Sequence, residues 1–510
     1  MADTLNWDAI AADVLANYGT TGQWFSTGTP SFSASVDWNA VAATVLANLT
    51  ATGQWWYFEF PAPTPSSSIV RASTSASGEQ ANHGADSPSI SADGTKVAFA
   101  TYATNNLTPD SAGESDTLFI HQGVVKDLVT GALTLASTTE TDAPGSGFDP
   151  ALSGDGEKVA FVTTARLVPG DTNATQDIYV KDLITGTLAL ASTSASGEAG
   201  TDFSGGPSLS YHGTRVAFTS YASNLVPGDT TPGADVFVKD LVTGAITIAS
   251  TSASGDQATN SSGYPSLSGD GAKVAFVNVS SNLVPGDTNG NPDVFVKDLS
   301  TGAIVRANTS AADEETHIFA GFSALSLSAN GTKVAFITSA SNLVPGDTNG
   351  VEEVFVKDLN TAAIVRGSTS ATGEQANERS DLFTPLSLSA DGTKVAFRSA
   401  ATNLVPDYTG GTFNVFVKDL SSGAVTLVNV APDGEQGNGG SSHPSLSADG
   451  TRVAFESLAS NLVPNDTNGS GDVFVRDLGG GDFAVEPDAA LRAVPLTGVV
   501  VPLSDPFGFV

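Results

Sequence analysis

The sequence predicts an all-β fold: a seven-bladed propeller of four-stranded antiparallel blades, with a small N-terminal helical segment. Three observations predict it. The stretch SADGTKVAF, ending at Phe99, recurs with relatives ending at Phe161, Phe218, Phe276, Phe336, Phe397 and Phe455, at intervals of 62, 57, 58, 60, 61 and 58 residues. Downstream of each lies a relative of DVFVKDL, clearest within SSNLVPGDTNGNPDVFVKDL at 280–299. Between these anchors, short apolar runs alternate with Gly turns. A fixed period of this length, filled this way, indicates sheets repeated radially about an axis.

Taken in order, the chain opens with two versions of one motif, at 4–25 and 35–58. In the second, Trp38, Val41, Ala42, Val45, Leu46 and Leu49 follow the spacing of one helical face. Asp37 is placed to cap that helix. All five Trp lie in this segment, 1–60. It reads either as two small packed helices or as a docking and self-association module, since aromatics concentrate in interfaces. Residues 61–68, PAPTPSSS, read as a linker.

The propeller is expected over 69–486. In the fourth unit, Pro265–Ser268 is the inner strand and Asp270-Gly271 a tight hairpin turn. Lys273–Val277 is the second strand, Asp293–Leu299 the third, Thr301-Gly302 a turn, and Ala303–Ala307 the fourth. Ile69–Ala72, IVRA, matches a fourth strand but precedes the first unit. It is predicted to close the ring by completing the last blade against 472–478. The competing strand there, Asp482–Val485, is weakly apolar.

Composition narrows the partners. The net charge is −33 and the pI near 4.1, so nucleic acid and anionic membranes are repelled. Fourteen of the 21 Lys and Arg fill two repeat slots, one before each VAF strand and one at the end of each VFVKDL strand. Arg71, Arg306 and Arg366 share a third slot. Only Arg166, Arg379, Arg398 and Arg492 are irregular, so no basic patch is expected in the long loops. Cysteine is absent, so disulfides play no part. The N-terminus lacks the basic and apolar regions of an ordinary export signal, and no apolar run is long enough to insert into a membrane.

The repeated SADGTKVAF and DVFVKDL units resemble the TolB-type propeller repeat. The longer SNLVPGDTNGxxDVFV form resembles large bacterial secreted or surface propellers. The likeness covers about 69–486 and implies the fold. It implies no single function, because such propellers serve as binding modules, enzyme domains and scaffolds. The first unit departs from the pattern, with an insertion at 117–125.

Strand order puts the short Asp-Gly and Thr-Gly turns on one face and the long loops on the other. The long-loop face is the functional candidate. Its DTNG loops carry oxygen donors at fixed steps: Asp171, Asn173 and Asp177; Asp287, Asn289 and Asp293; Asp466, Asn468 and Asp472. Asp347, Asn349 and Glu353, and Asp229 with Asp235, are variants. Two readings stand. Alternating oxygen donors suit calcium, and the same residues form Asx-turns that satisfy their own backbone. The full Asp, Asn, Asp sets of units two, four and seven are expected to bind best. A repeated loop acid, at Glu79, Glu198, Asp256, Glu374 and Glu435, reads as structural. His83, His317 and His443 read as solvated loop residues. No G-x-S-x-G elbow or attached hydrolase domain accompanies the propeller.

Residues 487–510 leave the repeat. Their SDPFGFV ending resembles the uncleaved signals of type I secretion substrates, and the segment reads equally as a plain packing tail. The expectation is therefore a non-enzymatic extracellular binding or scaffold propeller, calcium-stabilised, with a protein or glycan ligand on the long-loop face. The rival is a glycan lyase or hydrolase using that same face, and an asymmetric axial cluster of acids, His or Arg would favour it.

Overall fold

The structure, a computed structural model, describes residues 69–103, 121–139, 145–316, 320–406 and 412–479, with 408 and 410. The predicted helical segment, the linker and the 487–510 tail lie outside the described residues. The compact unit Ser66–Val485 holds seven four-stranded antiparallel sheets, the predicted blades. Blade four shows the plan: inner strand Ser262–Leu267, second strand Lys273–Asn278, third strand Asp293–Asp298 and outer strand Ile304–Arg306. Among the described residues no helix is long and apolar enough to cross a membrane.

The two middle strands are buried on both faces, which is why they read as unbroken apolar runs rather than alternating ones. The Ala of each VAF (Ala98, Ala160, Ala217, Ala275, Ala335, Ala396, Ala454) is fully buried. The Phe beside it pairs across the sheet with the aromatic of the third strand. Phe276 faces Phe295 in register, with ring centroids 5.9 Å apart. The same pairing recurs as Phe218 with Phe237, Phe336 with Phe355, Phe397 with Phe416, and Phe455 with Phe474. Blade two carries Phe161 with Tyr179. Such pairs add to the area they bury. Outer strands are three residues long, which limits the exposed edge.

The seam falls where the sequence placed it. Ile69–Arg71 pairs antiparallel with Asp472–Asp477, so blade seven takes its outer strand from the start of the repeat region. The basic slots then tie the ring together. Each cation before a VAF strand donates to a carbonyl in the Gly-containing hairpin turn of the next blade: Lys96 Nζ to Gly156 O at 2.9 Å, Arg215 Nη1 to Gly271 O at 2.9 Å, and Lys273 Nζ to Gly331 O at 2.9 Å. Arg452 Nη1 closes the circle on Gly94 O at 2.9 Å. The second slot reaches back to the preceding blade. Lys297 Nζ donates to Thr251 O and Ser252 O, and Lys126 Nζ, whose amine burial pushes down to about 8, donates to Ser75 O.

The Asp-Gly turn glycines have positive φ because the hairpin demands it. Gly392 (φ 64°) is also tight: a Cβ there would lie 2.9 Å from Lys333 Cβ. Gly373 has a positive φ (86°) with nothing within 4 Å. Gly392→Ala is therefore expected to lower the melting temperature more than Gly373→Ala, both losing roughly 1–2 kcal/mol to left-handed strain. Equal losses would mean that the inter-blade contact yields freely.

Candidate functional site

Outside blade six, the inner strands are longer than expected and are interrupted. Proline has no N–H to give to the ladder, so a strand that contains it bulges. Register shifts occur between Asp86 and Ser89, Phe148 and Ala151, Gly205 and Ser208, Gly263 and Ser266, and Ser442 and Ser445. In each, the residue before the proline takes a positive φ: Ser87 (52°), Asp149 (52°), Gly206 (61°), Tyr264 (56°) and His443 (50°). Left-handed backbone at a non-glycine residue costs about 1–3 kcal/mol and clusters at functional sites. Blade six has Pro385 in this slot. Its φ is locked negative, so the bulge cannot form, and the inner strand shrinks to Ser387–Leu388.

This slot differs in every blade of a chain whose other slots barely vary. It lies near the start of each inner strand, toward the long-loop face. The residues converge on the axis. Asp149 of blade two feels His443 of blade seven, Asp86 of blade one and the Gly206 backbone of blade three. Burial pushes the Asp149 carboxyl up, and Asp86 adds to this, while His443 and the Gly206 hydrogen bond oppose it. Asp149 nevertheless keeps an exposed surface. Solvent access combined with protein on all sides is what the wall of a narrow channel gives, so the upward direction stands.

The mouth is asymmetric. On one side, His443 Nδ1 lies 3.0 Å from Glu456 Oε2, and His121 Nε2 lies 3.2 Å from Asp86 Oδ2. The His121 ring stacks on Tyr102 at 4.1 Å and on Phe148 at 6.3 Å. Arg398 pairs with Asp381, and its guanidinium lies 4.2 Å over the Phe413 ring, where Arg379 also sits at 5.4 Å. On the other side, blades three and four present Phe203, Tyr221 and Tyr264, the two tyrosines each 50% exposed. Phe203 packs edge-on to Tyr221 at 6.0 Å.

Two expectations change here. His443 is in the inner strand Ser441–Leu446, not in a solvated loop. The bulge carries the strand back past Pro444, where the apolar pattern starts it. Two of the irregular arginines, Arg379 and Arg398, also meet on one ring, because the altered inner strand of blade six brings Arg379 beside the blade. His317 lies outside the described residues. The repeated acids Glu79, Glu198, Asp256, Glu374 and Glu435 are exposed. In the first unit the residue after the acid ties the loop down: Gln80 Nε2 donates to Asp466 Oδ1 at 2.8 Å and to Asp472 Oδ2 at 2.9 Å.

The DTNG loops bring their predicted residues together in each described blade. Their asparagines are engaged at both ends. Asn173, Asn289, Asn349 and Asn468 donate to carbonyls of the next inter-blade segment, at Gly200, Thr316, Ala376 and Ala81. Their Oδ1 atoms accept backbone N–H groups two residues on, the Asx-turn pattern. The carboxylates differ by blade. One nitrogen of Arg306 lies 3.4 Å from Asp287 and 3.6 Å from Asp293, and 2.9 Å from Glu315. Arg366 lies 3.4 Å from Asp347 and 2.7 Å from Glu353. Arg71 lies 3.5 Å from both Asp466 and Asp472. In blade three, Thr231 Oγ1 lies within hydrogen-bond reach of both Asp229 and Asp235 and gives its one proton to either. In blade two, Tyr179 Oη donates to Asp171 Oδ2 at 2.7 Å, Ser192 Oγ donates to Asp177 Oδ1 at 2.7 Å, the Asn173 side chain also favours the charged form of Asp177, and Arg166 Nε donates to the Asn173 carbonyl of the same loop. Burial pushes Asp177 and Asp293 up to about 6, and only at Asp293 does an arginine oppose it. Among the described residues no three His, Cys, Asp or Glu side chains gather as a metal site.

No protein-family model matches the chain, and no curated protein matches it. Solved structures similar to it include an oligogalacturonate lyase in complex with manganese (14% identity, TM-score 0.47, covering 83% of this chain and 96% of that one). The β-propeller domain of the Trilobed protease from Pyrococcus furiosus is another (11% identity, TM-score 0.46, 78% and 95%). TolB from Acinetobacter baumannii is a third (17% identity, TM-score 0.34, 66% and 79%). TolB, whose repeat the sequence motifs resemble, thus stands among its structural neighbours, and these likenesses are of fold and not of activity.

Proposed function

We propose that the chain is a binding propeller that receives a glycan at the long-loop mouth of its axial channel. The observation that carries this reading is the strained slot of the inner strands, different in each blade, with aromatic residues on one side and ionisable groups on the other. Exposed aromatic faces suit the C–H faces of sugar rings. A few fixed carboxylates and imidazoles suit their hydroxyls, and such sparse polar groups on an apolar wall are the usual make-up of a ligand site. The strain supports it too, since stability has been given up at this slot in several blades.

The check is a glycan array followed by calorimetry on the best ligand. Tyr264→Ala and His443→Ala are each expected to weaken binding roughly 10-fold or more, the loss of about 1.4 kcal/mol. Val365→Ala, on an outer strand, is expected to leave it unchanged. Binding to peptides alone, or binding indifferent to both mouth variants, would overturn the reading. A second reading, a glycan lyase or hydrolase, is favoured by the raised Asp149 carboxyl beside His443, since acid–base pairs need neighbouring groups with separated proton affinities. New glycan ends after incubation, lost in Asp149→Asn, would select it.

A further inference from the structure

At the short-turn end of the axis, backbone hydrogen bonds of 2.7–3.1 Å join each inner hairpin turn to the next. Ala92 N–H donates to Gly154 O, Asp155 to Tyr211, Tyr211 to Gly269 and Gly269 to Ala329. Asn330 donates to Ala390, Ala390 to Ala448, and Ala448 returns to Ala92, so the ring crosses every seam between blades. One step nearer the mouth, a second set of bonds holds the same strands together. The hydroxyl oxygens of Ser89, Ser208, Ser266, Ser326, Ser387 and Ser445 each accept a backbone N–H of the next blade at 2.9–3.1 Å. The bore is thus fixed over the lower part of the inner strands, because widening it would break these bonds and leave their donors unmet.

The ring sets the size of the opening. A spacing of about 4.8 Å between hydrogen-bonded neighbours puts seven backbones about 5.5 Å from their common axis. Non-bonded contact at about 3.7 Å then confines the atoms of any guest to within about 2 Å of that axis. Water or a single file of atoms passes, and a pyranose ring carrying its hydroxyls does not. The channel therefore has one entrance for a sugar, the long-loop mouth. Asp149, Tyr264 and His443 belong to the inner strands that form the channel wall. A glycan meeting them with its middle must pass out at the far end, which the ring forbids, or fold back on itself, which needs twice the width. We infer that the mouth takes a glycan by its end. The ligand class is a chain with a free terminus, held by its terminal residues, and not a polymer gripped along its length. This inference rests on the glycan reading of the mouth and narrows it.

The test uses the whole chain and calorimetry. The probes are maltohexaose, N-acetylchitohexaose and hexagalacturonate. Each is offered with free ends, with fluorescein on the reducing end, with fluorescein on the non-reducing end, and with both ends blocked. The probe that binds best with free ends is expected to bind about 100-fold more weakly, or worse, when both ends are blocked, and to lose as much from one of the two single blocks. Tyr264→Ala is expected to weaken the free-ended probe, which locates it at the mouth. A doubly blocked glycan that binds within about 3-fold of the free one overturns the inference. If Tyr264→Ala still weakens that blocked glycan, the glycan reading stands and only its narrowing falls. Binding of none of the three probes, nor of any glycan on the array, overturns both.

Discussion

Removal of residues 1–75 is expected to destabilise the propeller far more than removal of 1–60. The longer truncation takes away Ile69–Arg71 and with it the outer strand of blade seven. Ile69, 1% exposed, leaves the core, a loss of about 2–3 kcal/mol. Arg71 leaves Asp466 and Asp472, and Ser73 Oγ leaves Asp472 Oδ1, which it meets at 2.6 Å. Breaking a buried ion pair by deleting one partner costs about 3–5 kcal/mol. The sum is comparable with the whole stability of many domains, about 5–15 kcal/mol. The third strand of blade seven also becomes a free edge, so aggregation should accompany the loss. The measurement is thermal melting with light scattering on both truncations. If the two melt together, the seam is not where the ring is held.

Phe355→Ala is expected to cost about 3–5 kcal/mol, the usual price of emptying a buried aromatic site. Phe355 is fully buried and stacks on Phe336 at 6.1 Å, between strands whose two faces are both covered. Collapse into the gap is hard there, because blades on either side press on the same sheet. Val365, 46% exposed on the outer strand of the same blade, is the control. Its change to Ala should stay within about 0.5 kcal/mol. Chemical denaturation of the two variants decides this, and similar midpoints would mean that the sheets slide together to refill the site.

The parts of this fold that repeat were legible from the residues. VAF and VFVKD fix the buried strands, Asp-Gly and Thr-Gly fix the turns, and the surplus IVRA at 69–72 announced the seam. What stayed hidden is what does not repeat. The slot of Ser87, Asp149, Gly206, Tyr264 and His443 holds a different residue each time, so pattern matching reads it as the end of the motif. Its signal was the proline that follows, at Pro88, Pro150, Pro207, Pro265 and Pro444, which forces a bulge in a strand that otherwise continues. The DTNG carboxylates were legible as a set, but their partners were not. Arg306 lies on the neighbouring strand, and only the cross-strand register shows that its charge falls between Asp287 and Asp293.

The circle of side chains that ends with Arg452 on Gly94 has a consequence for how such a protein comes apart. In a linear stack of repeats, each end unit has one neighbour and frays first. Here every blade has two, including the blade that joins the two ends of the repeat. No blade can open by giving up a single interface, so local opening is penalised twice and unfolding is pushed toward all-or-none behaviour. A chain built from seven weak and similar pieces thereby gains the cooperativity of one large domain, and it can tolerate a strained, charge-lined axis that an open array would lose to fraying.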